Sequence, residues 1–234
     1  MNKEQFIEEL SKIGIQLSEK QLEQLHIYYE MLVEWNKVMN LTGITEEDQV
    51  YLKHFYDSLT IVKAVDLKQE ETLCDVGTGA GFPGLVLKIC FPHLNVTLVD
   101  SLQKRLTFLE EVIKKLDLNG VETVHARAEE YSLATREKYD VVTARAVAPL
   151  SILLEYCAPL VKVGKYFVPM KGNIAQEILS IENAINLLNV ELKRKVEFTL
   201  PFEGSNRNIL VFFKLGNTSK KYPRKYNEIK KKPL

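Results

Sequence analysis

Cysteine is scarce: three residues in 234 (Cys74, Cys90 and Cys157), far apart, each in apolar context, with no C-x-x-C spacing. That argues against a disulfide framework and against a zinc site, and points to a reducing compartment. Long apolar runs are also missing. None approaches the ~18 residues needed to span a bilayer, and the polar start Met1-Asn2-Lys3-Glu4-Gln5 has no signal-peptide core behind it. There is a single tryptophan, and neither repeats nor low-complexity tracts appear outside the last residues. Net charge is absent as well, with 31 basic and 31 acidic residues. Hydrophobic content of 46% and charged content of 26% describe a soluble globular chain, long enough for one good-sized core or a main domain with a small accessory.

The neutral total hides an uneven spread. Residues 1–50 carry ten acids against four bases, whereas residues 214–234 carry eight bases against one acid, Glu228. Such asymmetry suits a polyanionic partner for the C-terminal end, although a basic tail can also be merely solubilising.

What is present is organised around Thr72-Leu73-Cys74-Asp75-Val76-Gly77-Thr78-Gly79-Ala80-Gly81-Phe82-Pro83-Gly84. A short β-leaning run ends in an acid, breaks into four glycines within eight residues, and resumes as the helical pattern Leu85 to Cys90. Glycines at a strand-to-helix turn let backbone approach a ligand closely. A second acid, Asp100, closes the next strand-like run, Asn95 to Val99. Strand, glycine turn, helix, strand and acid form the nucleoside-binding half of a doubly wound α/β fold, with Asp100 placed to hold ribose hydroxyls. Gly79 to Gly84 satisfies G-x-G-x-x-G, so a dinucleotide must be weighed. Against it, Asp75 would face a diphosphate unfavourably, and Pro83 falls where dinucleotide folds need close helix packing. A carboxylate there suits a ligand carrying a cation, such as the amino group of a methionine moiety. S-adenosylmethionine is therefore favoured.

Taken in order, residues 1–66 read as a helical cap. Phe6, Leu10 and Ile13 keep helical spacing, Ser18 with Gln21 makes a capping box, and Leu22, Leu25, Tyr29 and Leu32 form a stripe. A third helix is expected from Thr45 to about Val65. On it His54, Asp57 and Ser58 share a face. One helix face cannot hold a nucleophile relay, so these three suit a polar network fixing the cap to the main domain, with contact to substrate as the alternative.

Residues 67–215 alternate regularly. A helix follows Asp100, and a third strand Val121 to His125 leads to Ala128-Glu129-Glu130. There an acid or the backbone can meet an adenine edge, or acids simply start a helix. The fourth strand ends at Arg145 and the fifth at Lys171-Gly172, both positions where such folds bind ligands. A helix from Ile174 to Leu188 and two further strands, around Glu191–Leu200 and Asn208–Lys214, follow. Seven strands closing in an antiparallel hairpin fit a methyltransferase sheet rather than the six-stranded dinucleotide one. Residues 216–234 are expected to form an extended, mobile tail, in which Lys220, Lys221, Arg224 and Lys225, interleaved with Tyr222 and Tyr226, suit phosphate contacts and base stacking.

Together these motifs resemble the bacterial glucose-inhibited division protein B family, guanine-N7 methyltransferases of small-subunit ribosomal RNA. The resemblance spans essentially the whole chain. It rests on Trp35-Asn36 with Asn40-Leu41-Thr42, on His54 to Leu59, on Asp75 to Gly84, on Val99-Asp100-Ser101, on Arg145 to Ala148, on Met170-Lys171-Gly172, and on Tyr222 to Lys225. It implies a Rossmann-like class I methyltransferase with an N-terminal helical cap, with cofactor contacts at Gly77, Phe82, Ala128, Glu129 and Arg145. Asp75, Gly79 and Asp100 join them from the residues themselves. It also implies a cytoplasmic protein, expected as a monomer, acting on ribosomal RNA or an assembling subunit, and not on a membrane.

The chemistry agrees with what is missing. Transfer to exocyclic base nitrogens commonly uses an Asn/Asp-Pro-Pro-aromatic loop, and Arg145-Ala146-Val147-Ala148 stands there instead. Pyrimidine C5 needs a cysteine nucleophile near the fourth or fifth strand end, but Cys157 is expected mid-helix. Guanine N7 has an in-plane lone pair and no proton, so alignment suffices. Arg145 is expected to orient the substrate end, and Lys171 to meet guanine or phosphate. Methylation of a protein or small molecule, or RNA binding without catalysis, are the alternatives. Steep salt dependence would mark RNA binding.

Overall fold

The computed structural model describes residues 1–234. A seven-stranded sheet runs through it in the order β3-β2-β1-β4-β5-β7-β6. The strands are β1 (Thr72–Val76), β2 (Asn95–Asp100), β3 (Val121–His125), β4 (Tyr139–Arg145), β5 (Val161–Lys171), β6 (Val190–Thr199) and β7 (Asn206–Lys214). β1 to β5 are parallel, while β7 runs antiparallel to both β5 and β6. The central strands are buried along nearly their whole length, which is why they read as continuous apolar runs. From β1 the chain winds outward through β2 and β3, then returns to β4 on β1's other side. The crevice at that reversal is where such sheets take ligands. The register lines up the informative residues there, with Asp75 beside Leu98 and Thr143, Arg145 beside Met170, and Lys171 beside Asn208.

Strand residues alternate between two cores. Leu73, Leu98, Val141, Val168 and Ile209 face the side covered by the N-terminal cap, with α5 (Gly84–Cys90) and α6 (Gln103–Lys115). Cys74, Val99, Val142, Phe167 and Leu210 face the other side, covered by α7 (Ala128–Ala134), α8 (Leu150–Cys157), α9 (Glu182–Leu188) and the C-terminal residues. This is the period-2 alternation of a pleated strand with both faces packed.

In the cap, α1 (Lys3–Lys12) and α2 (Glu19–Met39) each open with a capping box, at Asn2/Gln5 and Ser18/Gln21. Tyr28 of α2, fully buried, donates its hydroxyl to the Ala80 carbonyl and so ties the cap to the glycine turn. The third cap helix is not uniform. α3 (Glu47–Val50) passes through a π-turn over Tyr51–Tyr56, then α4 (Asp57–Leu59) and a 3-10 turn at Thr60–Lys63. No helix is long and apolar enough to cross a membrane.

Two expectations need correction. The segment from Ile174 is not one helix: a 3-10 turn at Glu177–Ser180 precedes α9. Glu177 accepts from the Leu150 backbone (2.6 Å) and pairs with Lys171 (2.8 Å), and those bonds hold the segment off the helical path. Nor is the tail extended and loose. It folds back over α8 and ends in α10 (Tyr226–Lys231), with Tyr222 and Ile229 buried. Arg224 grips the fully buried Glu155 through its backbone N–H (2.8 Å) and two guanidinium bonds (2.9 and 2.7 Å).

Candidate functional site

The glycine turn closes around Asp75. One carboxylate oxygen accepts from the Thr78 hydroxyl (2.7 Å) and the Gly84 N–H (2.8 Å), so a single acid holds both ends of the loop. Its other oxygen is buried with no hydrogen-bond partner. Burial pushes the Asp75 carboxyl up to about 6, against the pull of those two hydrogen bonds. Gly77 and Gly79 sit at φ +72° and +61°, the left-handed region that glycine adopts without a Cβ clash. A Cβ on Gly77 would meet Val147 at 2.6 Å, whereas one on Gly79 would stand in open space.

Asp100 closes the neighbouring strand. Its carboxylate accepts from the Gly79 N–H (2.9 Å), the Leu102 N–H (2.9 Å) and Arg105 (3.3 Å). From it opens a cleft of about 540 Å³, lined among others by Gly77, Arg127, Ala128, Glu129, Val147 and Tyr226.

A second cavity of about 400 Å³ adjoins the first, and Ala146 lines both. Arg145 donates to the Lys53 carbonyl (2.9 Å) and to Asp57 (3.1 Å), and Arg207 donates to the other oxygen of Asp57 (3.0 Å). The π-turn delivers His54 to the same wall, where it lies flat on Phe82 at 4.4 Å with Thr42 at 2.9 Å from its ring nitrogen. Burial first and the Arg145 charge second push His54 down to about 4, so the imidazole is neutral near pH 7. Lys171 reaches the Ala148 carbonyl (3.0 Å) as well as Glu177. Ala146, at φ +56°, holds a strained conformation for a residue with a Cβ, at the joint between the cavities.

The expected site residues therefore divide. Gly77, Asp100, Ala128 and Glu129 line the first cleft, while Arg145 and Lys171 line the second. Asp75 and Phe82 are buried in the wall beneath the glycine turn, and Gly79 braces Asp100. Arg145, expected both on the cofactor and at the substrate end, lines the second cavity, where Asp57 holds its guanidinium. Of the four tail cations, Lys220, Lys221 and Lys225 are exposed, but Arg224 is directed inward by Glu155 and is not a free surface cation. Tyr222 is buried, so it offers no stacking face. Of His54, Asp57 and Ser58, Asp57 ties the cap to the main domain through Arg145 and Arg207, whereas Ser58 donates within the cap to the His54 carbonyl (2.5 Å). His54 and Asp57 also line the second cavity, the placement that the alternative of substrate contact requires, whereas Ser58 does not; the presence of Arg207 and Asn208 there was not anticipated. The only hint of those two was a lone cation in a turn before the last strand.

The family described as GidB, rRNA small subunit methyltransferase G, matches residues 21–209. The "Ribosomal RNA small subunit methyltransferase G" of Bacillus subtilis is 54% identical to the chain, covering 100% of the chain and 99% of that protein. Its namesake in Lysinibacillus sphaericus is 52% identical, with 100% of both covered. Among solved structures, a SAM-dependent methyltransferase from Aquifex aeolicus superposes with TM-score 0.56 at 18% identity, covering 74% of this chain and 97% of that one. The YcgJ protein of Bacillus subtilis gives 0.54 at 13%, covering 70% and 100%. At these identities the two structures speak for the fold alone.

Proposed function

The chain belongs to the rRNA small subunit methyltransferase G family, and from that premise we propose that it methylates N7 of a guanine in small-subunit (16S) ribosomal RNA. The methyl donor is S-adenosylmethionine, and the enzyme acts as a cytoplasmic monomer on ribosomal RNA or an assembling subunit. The observation that supports this is the pair of cavities meeting at Ala146, one opening from Asp100 at the end of β2 and the other lined with cations.

The first cavity fits the cofactor. Asp100 ends its strand where ribose hydroxyls bind, the space beside Gly79 is clear for a ligand, and Asp75, buried beneath the glycine turn, keeps one oxygen without a partner, which suits a cationic donor. Gly77, Ala128 and Glu129 would complete the hold. When bound, S-adenosylmethionine supplies a methyl group whose C–S bond breaks as N7–C forms, the bonding pair staying on sulfur and the positive charge passing to guanine.

The chain's own residues align and balance. N7 has no proton to lose, so no general base is required. A nucleobase entering the second cavity meets Arg145 and Lys171, donors suited to guanine O6 or phosphate. His54 on the same wall is neutral near pH 7 and adds no further positive charge beside the ring, and the Asp57 carboxylate stands close by. Cysteine chemistry is ruled out by position: Cys157 is fully buried and its thiol is pushed well up by desolvation. Holding the reacting atoms in line at about 3 Å is then the principal contribution.

The test uses radiolabelled S-adenosylmethionine with ribosomal RNA and subunits from cells lacking this protein. Label in small-subunit RNA, with scission at one site by chemistry selective for N7-methylguanine, is the expected result. Cofactor binding without transfer to RNA or subunits would redirect the activity to another acceptor.

A further inference from the structure

The C-terminal helix has no part in the proposed function as described, yet its Tyr226 and Lys230 border the first cleft. We propose that α10 is part of the cofactor site, with Tyr226 and Lys230 forming the outer wall of its nucleoside end. This deepens the reading of the cleft as an S-adenosylmethionine site and rests on it.

The direction of the cleft follows from the sheet. The glycine turn leaves β1, Asp100 leaves β2, and Arg127 to Glu129 leave β3, the outermost parallel strand. A ligand with its ribose at Asp100 and its methionine part toward Asp75 must carry its base toward Arg127–Glu129. Tyr226 stands at that end, with the Arg127 guanidinium 4.9 Å from its ring centroid. The Lys230 ammonium lies 5.7 Å from the same ring. Across from them α8 presents Ile152 and Tyr156 to the cleft. Only Tyr226 and Phe202 among the aromatic side chains are exposed, and Tyr226 alone lines this cavity.

A wall must be held in place, and this one is. Ile229, on the same short helix, is fully buried in the core below. Just before it, Arg224 is pinned by Glu155, and Arg136 donates to the carbonyls of Tyr222 (2.8 Å) and Thr218 (2.7 Å). These bonds fix the segment leading into α10 with no ligand present, and they involve neither Tyr226 nor Lys230. Neither lining side chain is tied by a hydrogen bond or ion pair of its own, and both stand on a support already built.

Calorimetric titration of the full-length protein tests this, with two probes. S-adenosylmethionine spans the whole cleft, while 5′-methylthioadenosine keeps the nucleoside and lacks the amino-acid part. Tyr226→Ala should weaken both by a similar factor of about ten, the scale of one aromatic face against a base, and Tyr226→Phe should bind like the natural protein. Because Tyr226 is exposed, thermal unfolding of both variants should match the parent. Unchanged affinities in Tyr226→Ala, or a loss confined to S-adenosylmethionine, would overturn the wall and leave the cleft's assignment standing. Failure of the natural protein to bind S-adenosylmethionine would overturn the cleft's assignment, and the wall with it.

Discussion

The affinity for S-adenosylmethionine should rise with pH through 6, because Asp75 must be ionised to meet an ammonium group. In the cofactor-free protein burial holds this carboxyl up to about 6. With one proton to displace, the ionised fraction is nearly complete at pH 8 and about a tenth at pH 5, so affinity should fall about tenfold across that span. Titration calorimetry between pH 5 and 8 reads this directly. 5′-Methylthioadenosine, without the ammonium, should bind equally at every pH, and Asp75→Asn should bind S-adenosylmethionine weakly and without the slope. A flat profile for S-adenosylmethionine, or a parallel slope for methylthioadenosine, would refute the pairing of Asp75 with the cofactor's cation. Stability responds in a related way. Asp75 holds a proton in the folded, cofactor-free state that the unfolded chain gives up between about 4 and 6, so its contribution weakens as pH rises through that window. His54, pushed down to about 4, acts in the opposite sense: the unfolded chain takes up the proton first, and stability rises as pH rises toward the ordinary histidine value. The two contributions offset in the parent. Asp75→Asn should therefore expose a rise in Tm with pH that the parent lacks.

Other changes separate fold from site. Gly77→Ala should lower both stability, by about 1–3 kcal/mol, and cofactor affinity, since a Cβ there strikes Val147, whereas Gly79→Ala should lower affinity with little beyond the ~1 kcal/mol of left-handed strain; thermal melts and titration distinguish them. Arg145→Ala should depress single-turnover methylation by about a hundredfold or more while S-adenosylmethionine affinity changes little, because Arg145 faces the second cavity; undiminished turnover would remove it from the site. Arg224→Ala leaves Glu155 buried without a partner and should remove about 3–5 kcal/mol, seen as a fall in Tm of roughly 10 °C, while Lys221→Ala stays within about 0.5 kcal/mol. RNA binding should weaken steeply with salt, by about 0.7 in log–log slope per phosphate contacted if the target is single-stranded.

The sheet was readable because its signals are local. An apolar run ending in an acid, then a glycine turn, marks β1 whatever surrounds it; β2 likewise ends in an acid, Asp100, and β4 and β5 stand out as apolar runs between helical patterns. The Ser18–Gln21 capping box lies within three residues and could be read as such. What escaped notice depends on pairs distant in sequence. Glu155 and Arg224 are 69 residues apart, and without that pair the last residues read as a loose basic tail. Arg145, Asp57 and Arg207 converge from β4, the cap and β7, so the division into two cavities, and the placing of Arg145 in the second, are consequences of packing alone. The π-turn is a shift of register with no residue signature. It carries His54 and Asp57 to the site, where uniform helical spacing suggested only a shared face.

Strand order also constrains when the molecule can be finished. β6 touches the sheet only through β7, which lies between it and β5. A chain synthesised from its N-terminus therefore makes β6 before any strand exists to receive it, and must hold ten residues with unpaired backbone until β7 emerges. A nascent chain halted anywhere before Asn206 has a sheet ending at β5, without Arg207 for Asp57 or Asn208 beside Lys171. The site would thus be assembled late in translation, and truncated products would be inert rather than partly active.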